Sequence, residues 1–251
     1  MPRRLARRPA PDQREPRLLV LCPLEFERSV LEGLQREQHG VELPAEVVVE
    51  VCGPGRSGIE RWFAERHDSS CPATQGVLLV GTAGGLRPDL AVGSAFVAAQ
   101  IVDGTRHAWT PSIELRPSSD RGARSGVVLS LESAVISPQQ KASLHATTRA
   151  CAVDLESAAF AEQCETRGWR WGVVRGISDA AADSLPRDVA RWVDARGRLR
   201  LPSLLASLAR APGTVGRLPR LRRDSIAAVR AVATIVAAIA EASNAVAEPV
   251  E

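Results

Sequence analysis

Six short apolar runs, at residues 18–21, 47–52, 77–80, 94–102, 127–130 and 172–176, alternate along the chain with amphipathic stretches at 26–38, 58–66 and 157–167. Near-continuous apolar strands are buried on both faces, and amphipathic segments between them supply the cover. The alternation therefore predicts an α/β fold with a largely buried central sheet and helices on its faces. With 251 residues, 45% of them apolar and 24% charged, the chain has material for one full core, and a single domain over 18–251 is the expectation.

Charge is confined. Six of the arginines fall in residues 1–17, an Arg/Pro-rich leader without an apolar core that reads as a disordered tail rather than a secretory signal. Without it the net charge, +3 overall, is near zero, which excludes a global nucleic-acid footprint. Five cysteines (Cys22, Cys52, Cys71, Cys151, Cys164) include no C-x-x-C pair, and the four histidines stand far apart. Neither a disulfide framework nor a metal site is expected, and a reducing cytoplasm is the natural compartment.

Residues 224–246 are rich in Ala, Val and Ile but interrupted by Arg230, Thr234, Glu241 and Asn244. A spanning helix needs about 20 strongly apolar residues, so a helix packed on the domain is the expectation. Before it, residues 202–223 read as two short helices separated by Pro and Gly, within a helical extension starting at about 195. Residues 53–58 match G-x-G-x-x-G after a strand and before a helix, yet the next strand, 77–80, ends in Gly81-Thr82-Ala83, where a dinucleotide site needs a ribose-binding acid. The glycines are read instead as a tight turn beside a ligand, and no cofactor is expected.

Three segments end a strand with small residues and a carboxylate, the arrangement at which open α/β sheets collect ligands. They are VLCPLEFERSVL with Glu25 and Glu27, VLLVGTAGGLRPDL with its glycine-rich loop, and CAVDLESAAF…RGISDAAAD with Glu156 and Asp179. By local pattern alone Asp179 is equally an acid or the N-cap of a helix over 180–182, Glu156 a charge at a helix N-terminus, and Glu27 a solvated helix charge.

GTAGGL, VDLESAA and RGISDAAAD, in that order, resemble the signature segments of the purine nucleoside phosphorylase and nucleosidase superfamily, and PLEFE is similar to the start of its methylthioadenosine/S-adenosylhomocysteine nucleosidases. The resemblance implies a three-layer α/β/α fold with a central mixed, twisted sheet, and cleavage of a purine N-glycosidic bond by a homo-oligomer. It makes Asp179 the acid for purine N7, Glu156 the carboxylate on the ribose, and Glu27 the group that orients attacking water. It assigns substrate contacts to Gly81, Thr82, Ala83, Gly84, Val135, Leu155, Arg175 and Ser178, with Arg175 orienting the carboxylates.

Two departures shape the expectation. Phosphorylases of this superfamily carry an arginine where Leu79 stands, so a phosphate site would have to use Gly55, Arg56 or Arg28, and water is favoured as nucleophile. Ala134 replaces the phenylalanine that nucleosidases stack on the base. SDAAADSLP, the W-V-D-x-x-G-R segment and the leucine- and arginine-rich tail resemble the hopanoid-associated phosphorylase branch, which implies adenosylhopane as substrate and peripheral contact at the inner face of a membrane. A methylthioadenosine/S-adenosylhomocysteine nucleosidase, a general purine nucleoside phosphorylase and a non-catalytic nucleoside-binding relative are the alternatives. For the leucines at 201–221 a face packed on the core, with arginines in water, competes with an interfacial helix.

Overall fold

Every residue of β1 (Leu18–Cys22) is buried, and its neighbours on the two sides are β2 (Val47–Val51) and β3 (Val77–Gly85), both parallel to it. This computed structural model describes residues 18–34, 43–44, 46–66, 71, 73, 76–113 and 124–245; the arginine-rich leader at 1–17 lies outside the described residues. The remaining strands are β4 (Ala95–Asp103), β5 (Ala108–Trp109), β6 (Arg124–Ser130), β7 (Ala152–Asp154) and β8 (Trp171–Asp179). One edge of β3 runs parallel to β8; on the other, β1 pairs with its start and β7, antiparallel, with its end at Gly84 and Gly85. β8 continues antiparallel to β4, β4 parallel to β6, and β6 parallel to β7. The mixed sheet thus curls until β3, β8, β4, β6 and β7 close on one another, with β1 and β2 as an open wing.

Alternate side chains of β1 and of the first half of β3 enter different layers, as the two-residue period of a strand requires. Leu19, Leu21, Val77 and Leu79 join a core built with α2 (Gly55–Ala64) and α4 (Ser157–Thr166), in which Phe63 packs 5.3 Å from Trp169 between ring centroids. Leu18, Val20, Leu78 and Val80 join a second core built with α1 (Glu25–Leu34) and α6 (Leu218–Ala245). The result is an α/β architecture with a central mixed sheet and helices on its faces.

Three sequence readings change. GTAGG is the second half of β3 rather than a loop, because its glycines pair with both β7 and β8. The second short helix before residue 224 is the start of α6, which runs unbroken for 28 residues and sends Ala228, Val229, Val232, Ala233 and Val236 into the core. The packed leucine face fails for Leu201 and Leu205: both are more than half exposed on α5 (Leu201–Arg210), where Ser207 alone is buried. Among the described residues no helix is long and apolar enough to cross a membrane. A helix absent from the sequence reading, α3 (Pro138–Thr148), opens with Pro138 at its first turn and a reciprocal Ser137/Gln140 capping box.

Candidate active site

Glu27 sits in the first turn of α1, which two residues separate from the end of β1, and is 1% exposed. Its Oε1 accepts from the Thr82 amide (2.8 Å) and the Thr82 hydroxyl (3.0 Å), and its Oε2 from the Leu24 amide (3.0 Å). Burial pushes the carboxyl up from 4.5 to about 7, against the opposing pull of the Thr82 amide and the Arg175 guanidinium. The group can therefore accept a proton at neutral pH, as a base acting on water must.

Arg175 points from the middle of β8 into the same region and is fully buried. Its Nε donates to Asp154 Oδ2 (2.7 Å), and its Nη2 lies 2.6 Å from Asp154 Oδ2 and 3.3 Å from Glu156 Oε2. Its Nη1 has no hydrogen-bond partner among the described residues. A Cβ added to Gly81 would lie 2.8 Å from that Nη1 and 2.9 and 3.0 Å from the Glu27 oxygens. Gly81 is thus the gap through which the guanidinium and the Glu27 carboxylate face one another.

Glu156 stands at the N-cap of α4 but caps nothing there; its Oε1 takes the Gly55 amide, 2.7 Å away, at the first residue of α2. The G-x-G-x-x-G segment therefore presents a helix N-terminus to a carboxylate of the same chain. Burial raises the Glu156 carboxyl above its ordinary value, with Arg175 opposing. Asp154, which the sequence reading did not single out, is buried between Arg175 and the Ser157 hydroxyl at the start of α4. The V-D-L-E spacing was its signal: residues 154 and 156 both end on one guanidinium.

Asp179 closes β8, and a turn rather than a helix follows it, so the N-cap alternative has no helix to cap. The β3 to β8 register shifts at Ala83/Gly84, leaving Ser178 without a partner and setting Asp179 opposite Gly84. Bulges of this kind re-aim side chains. A Cβ on Gly84 would come within 3.1 Å of Asp179 Oδ2, so this glycine too makes room for a carboxylate. Asp179 Oδ1 accepts from the Ser178 hydroxyl at 2.8 Å, and Oδ2 from Lys141 Nζ, a residue no sequence motif had marked.

Ala83 and Val135 are buried, whereas Leu155 and Ala134 are partly buried. The three phosphate candidates are all engaged by protein carboxylates. The Gly55 amide goes to Glu156, Arg56 pairs with Glu162 (2.9 Å) and Glu60 (3.4 Å), and Arg28 with Glu25 and Glu32. Leu79, in the place of a phosphorylase arginine, is fully buried in the apolar core. Burial pushes the Cys22 and Cys52 thiols well up, so neither offers a thiolate. Among the described residues no group of His, Cys, Asp and Glu is arranged to hold a metal ion.

Residues 116–210 match the Phosphorylase superfamily, a span that includes Glu156, Arg175 and Asp179 but not Glu27. No curated protein matches the chain in sequence. Among solved structures, the 5′-methylthioadenosine/S-adenosylhomocysteine nucleosidase of Helicobacter pylori superposes with a TM-score of 0.63 at 16% identity, covering 92% of this chain and all of that one. The futalosine hydrolase of the same organism gives 0.62 at 17% identity, covering 91% and 98%. The Campylobacter jejuni 5′-methylthioadenosine/S-adenosylhomocysteine nucleosidase gives 0.61 at 14% identity, covering 90% and 99%. These likenesses establish a shared nucleosidase fold.

Proposed function

We propose that the protein hydrolyses the N-glycosidic bond of a purine nucleoside, releasing the base. The observation that carries this reading is the buried cluster of Glu27, Arg175 and Glu156 beside Gly81 of β3, with Asp179 beside Gly84 of the same strand, each carboxylate at most 6% exposed. Asp179 protonates N7 as the base leaves, Glu156 holds the ribose hydroxyls beside the developing positive charge, and Glu27 takes the proton of the attacking water. The unpartnered Arg175 Nη1 opposite Glu27 supplies a donor to that water. Engagement of Gly55, Arg56 and Arg28 by protein carboxylates supports water over phosphate.

The finer reading is a lipid-linked nucleoside of the adenosylhopane kind, met at a membrane face. The exposed leucines of α5 support it, whereas a small nucleoside such as methylthioadenosine needs no apolar exterior. Incubation with adenosine, methylthioadenosine and adenosylhopane in vesicles, with and without phosphate, tests both levels. Adenine should appear without phosphate, fastest from the vesicle-borne substrate. A strict phosphate requirement would replace hydrolysis by phosphorolysis, a preference for methylthioadenosine would remove the lipid, and no release from any of them would sink the reading altogether.

A further inference from the structure

Of the 32 basic side chains in the sequence one is a lysine, so the remaining 31 are arginines. That lysine, Lys141, is 0% exposed in α3, and its ammonium meets Asp179 Oδ2, the Ala180 carbonyl (2.7 Å) and the Asp183 carbonyl (3.2 Å). All three N–H donors of the ammonium thus have acceptors. Burying a cation is costly unless it is paired, and its place in the first turns of a helix adds an unfavourable dipole. An arginine would serve a purely ionic contact, and this chain uses arginine everywhere else. What lysine adds is a proton it can release.

A general acid must be resupplied with its proton, and the Lys141 ammonium donates directly to the Asp179 carboxyl. We propose that Lys141 positions Asp179 and supplies the proton that Asp179 passes to the leaving base, an inference that rests on Asp179 being the acid. In the step, one Nζ–H bond breaks as an Oδ2–H bond forms, and that Oδ2–H bond breaks in turn as the N7–H bond forms. The C1′–N9 bond breaks with its electron pair going to the purine, and the water that adds to C1′ gives its proton to Glu27. Lys141 is left neutral and Glu27 protonated, and exchange with solvent after product release restores both. Around the pair stand Asp183 beyond β8, Arg217 just before α6, Arg220 and Asp224 of α6, and His145 one turn along α3, its Nδ1 2.7 Å from the Ala150 carbonyl.

The test uses adenosine and 7-methyladenosine, whose N7 already carries a positive charge and needs no proton. Lys141→Arg keeps the charge but not a releasable proton; adenosine cleavage should fall at least 100-fold and 7-methyladenosine cleavage by less than about threefold. Lys141→Met, which fits the same space, should show the same split. Equal losses on both substrates in either variant would make Lys141 structural and overturn the proposal, as would an unchanged adenosine rate or failure of the unaltered protein to cleave 7-methyladenosine. Asp179→Asn separates the two levels. If it cleaves adenosine normally, the acid assignment itself is wrong; if it is slow while Lys141→Arg is not, only the proton supply is.

Discussion

Glu27 shows how one side chain ties stability to chemistry. Its carboxyl titrates at about 7 in the folded chain against an ordinary 4.5, so the folded state holds this proton more tightly than the unfolded one. Stability contributed by the protonated form is present below 4.5 and is lost as pH rises towards 7, a penalty of up to about 3 kcal/mol above that value. Glu27→Gln removes the titration. Its unfolding free energy relative to the unaltered protein should rise between pH 4.5 and 8, by up to about 3 kcal/mol in denaturant titrations, while turnover at pH 8 falls at least 100-fold. Under the proposed hydrolysis, in which ionised Glu27 is the base, turnover of the unaltered protein should drop about tenfold per pH unit below 7. Stability differences that do not change with pH would mean that the carboxyl is not held up by burial.

The packing of α6 on β8 turns on one missing side chain. A Cβ at Gly176 would lie 2.2 Å from the Ala228 carbonyl oxygen, a main-chain atom that cannot rotate away. Gly176→Ala should force the helix off the strand and lower the unfolding free energy by about 1–3 kcal/mol; a thermal melt as high as that of the unaltered protein would show that the contact yields freely. Nothing in the local sequence announces this glycine, since its neighbour is 52 residues away (228 less 176). The same holds elsewhere. The long apolar strands and the amphipathic α2 and α4 were legible because burial imposes period on sequence. The two-residue β5 and three-residue β7 are too short to carry a period, and GTAGG reads as a loop until its partner strands are in place. Lys141 escaped because a lone lysine on a weakly amphipathic helix has no local signature, whereas Glu27, Glu156 and Asp179 stand at strand ends where α/β sheets collect ligands.

Among the described residues, exposed apolar surface and positive charge coincide in one stretch. Leu199, Leu201, Leu205 and Val215 are each more than half exposed, and beyond this stretch only Phe26 and Val48 are large, apolar and exposed among the described residues. Residues 195–223 carry eight arginines, all exposed, and no Asp or Glu. Leu201 and Leu205 are four positions apart on α5 and so share one face. A second copy of the chain would bring these arginines against their own kind, whereas a bilayer with anionic headgroups offers apolar depth for the leucines and charge for the arginines. Burying a leucine side chain is worth about 1.5–3 kcal/mol, so losing two should matter more than any single arginine. Co-sedimentation with vesicles containing phosphatidylglycerol should therefore persist after deletion of residues 1–17 and weaken in 0.5 M salt. It should fall at least tenfold in Leu201→Ser/Leu205→Ser, whose thermal melt stays unchanged because both side chains already face water. Binding that follows only the leader, or that is equal on neutral vesicles, would remove the membrane role, and a leucine-dependent dimer in solution would assign the face to self-association instead.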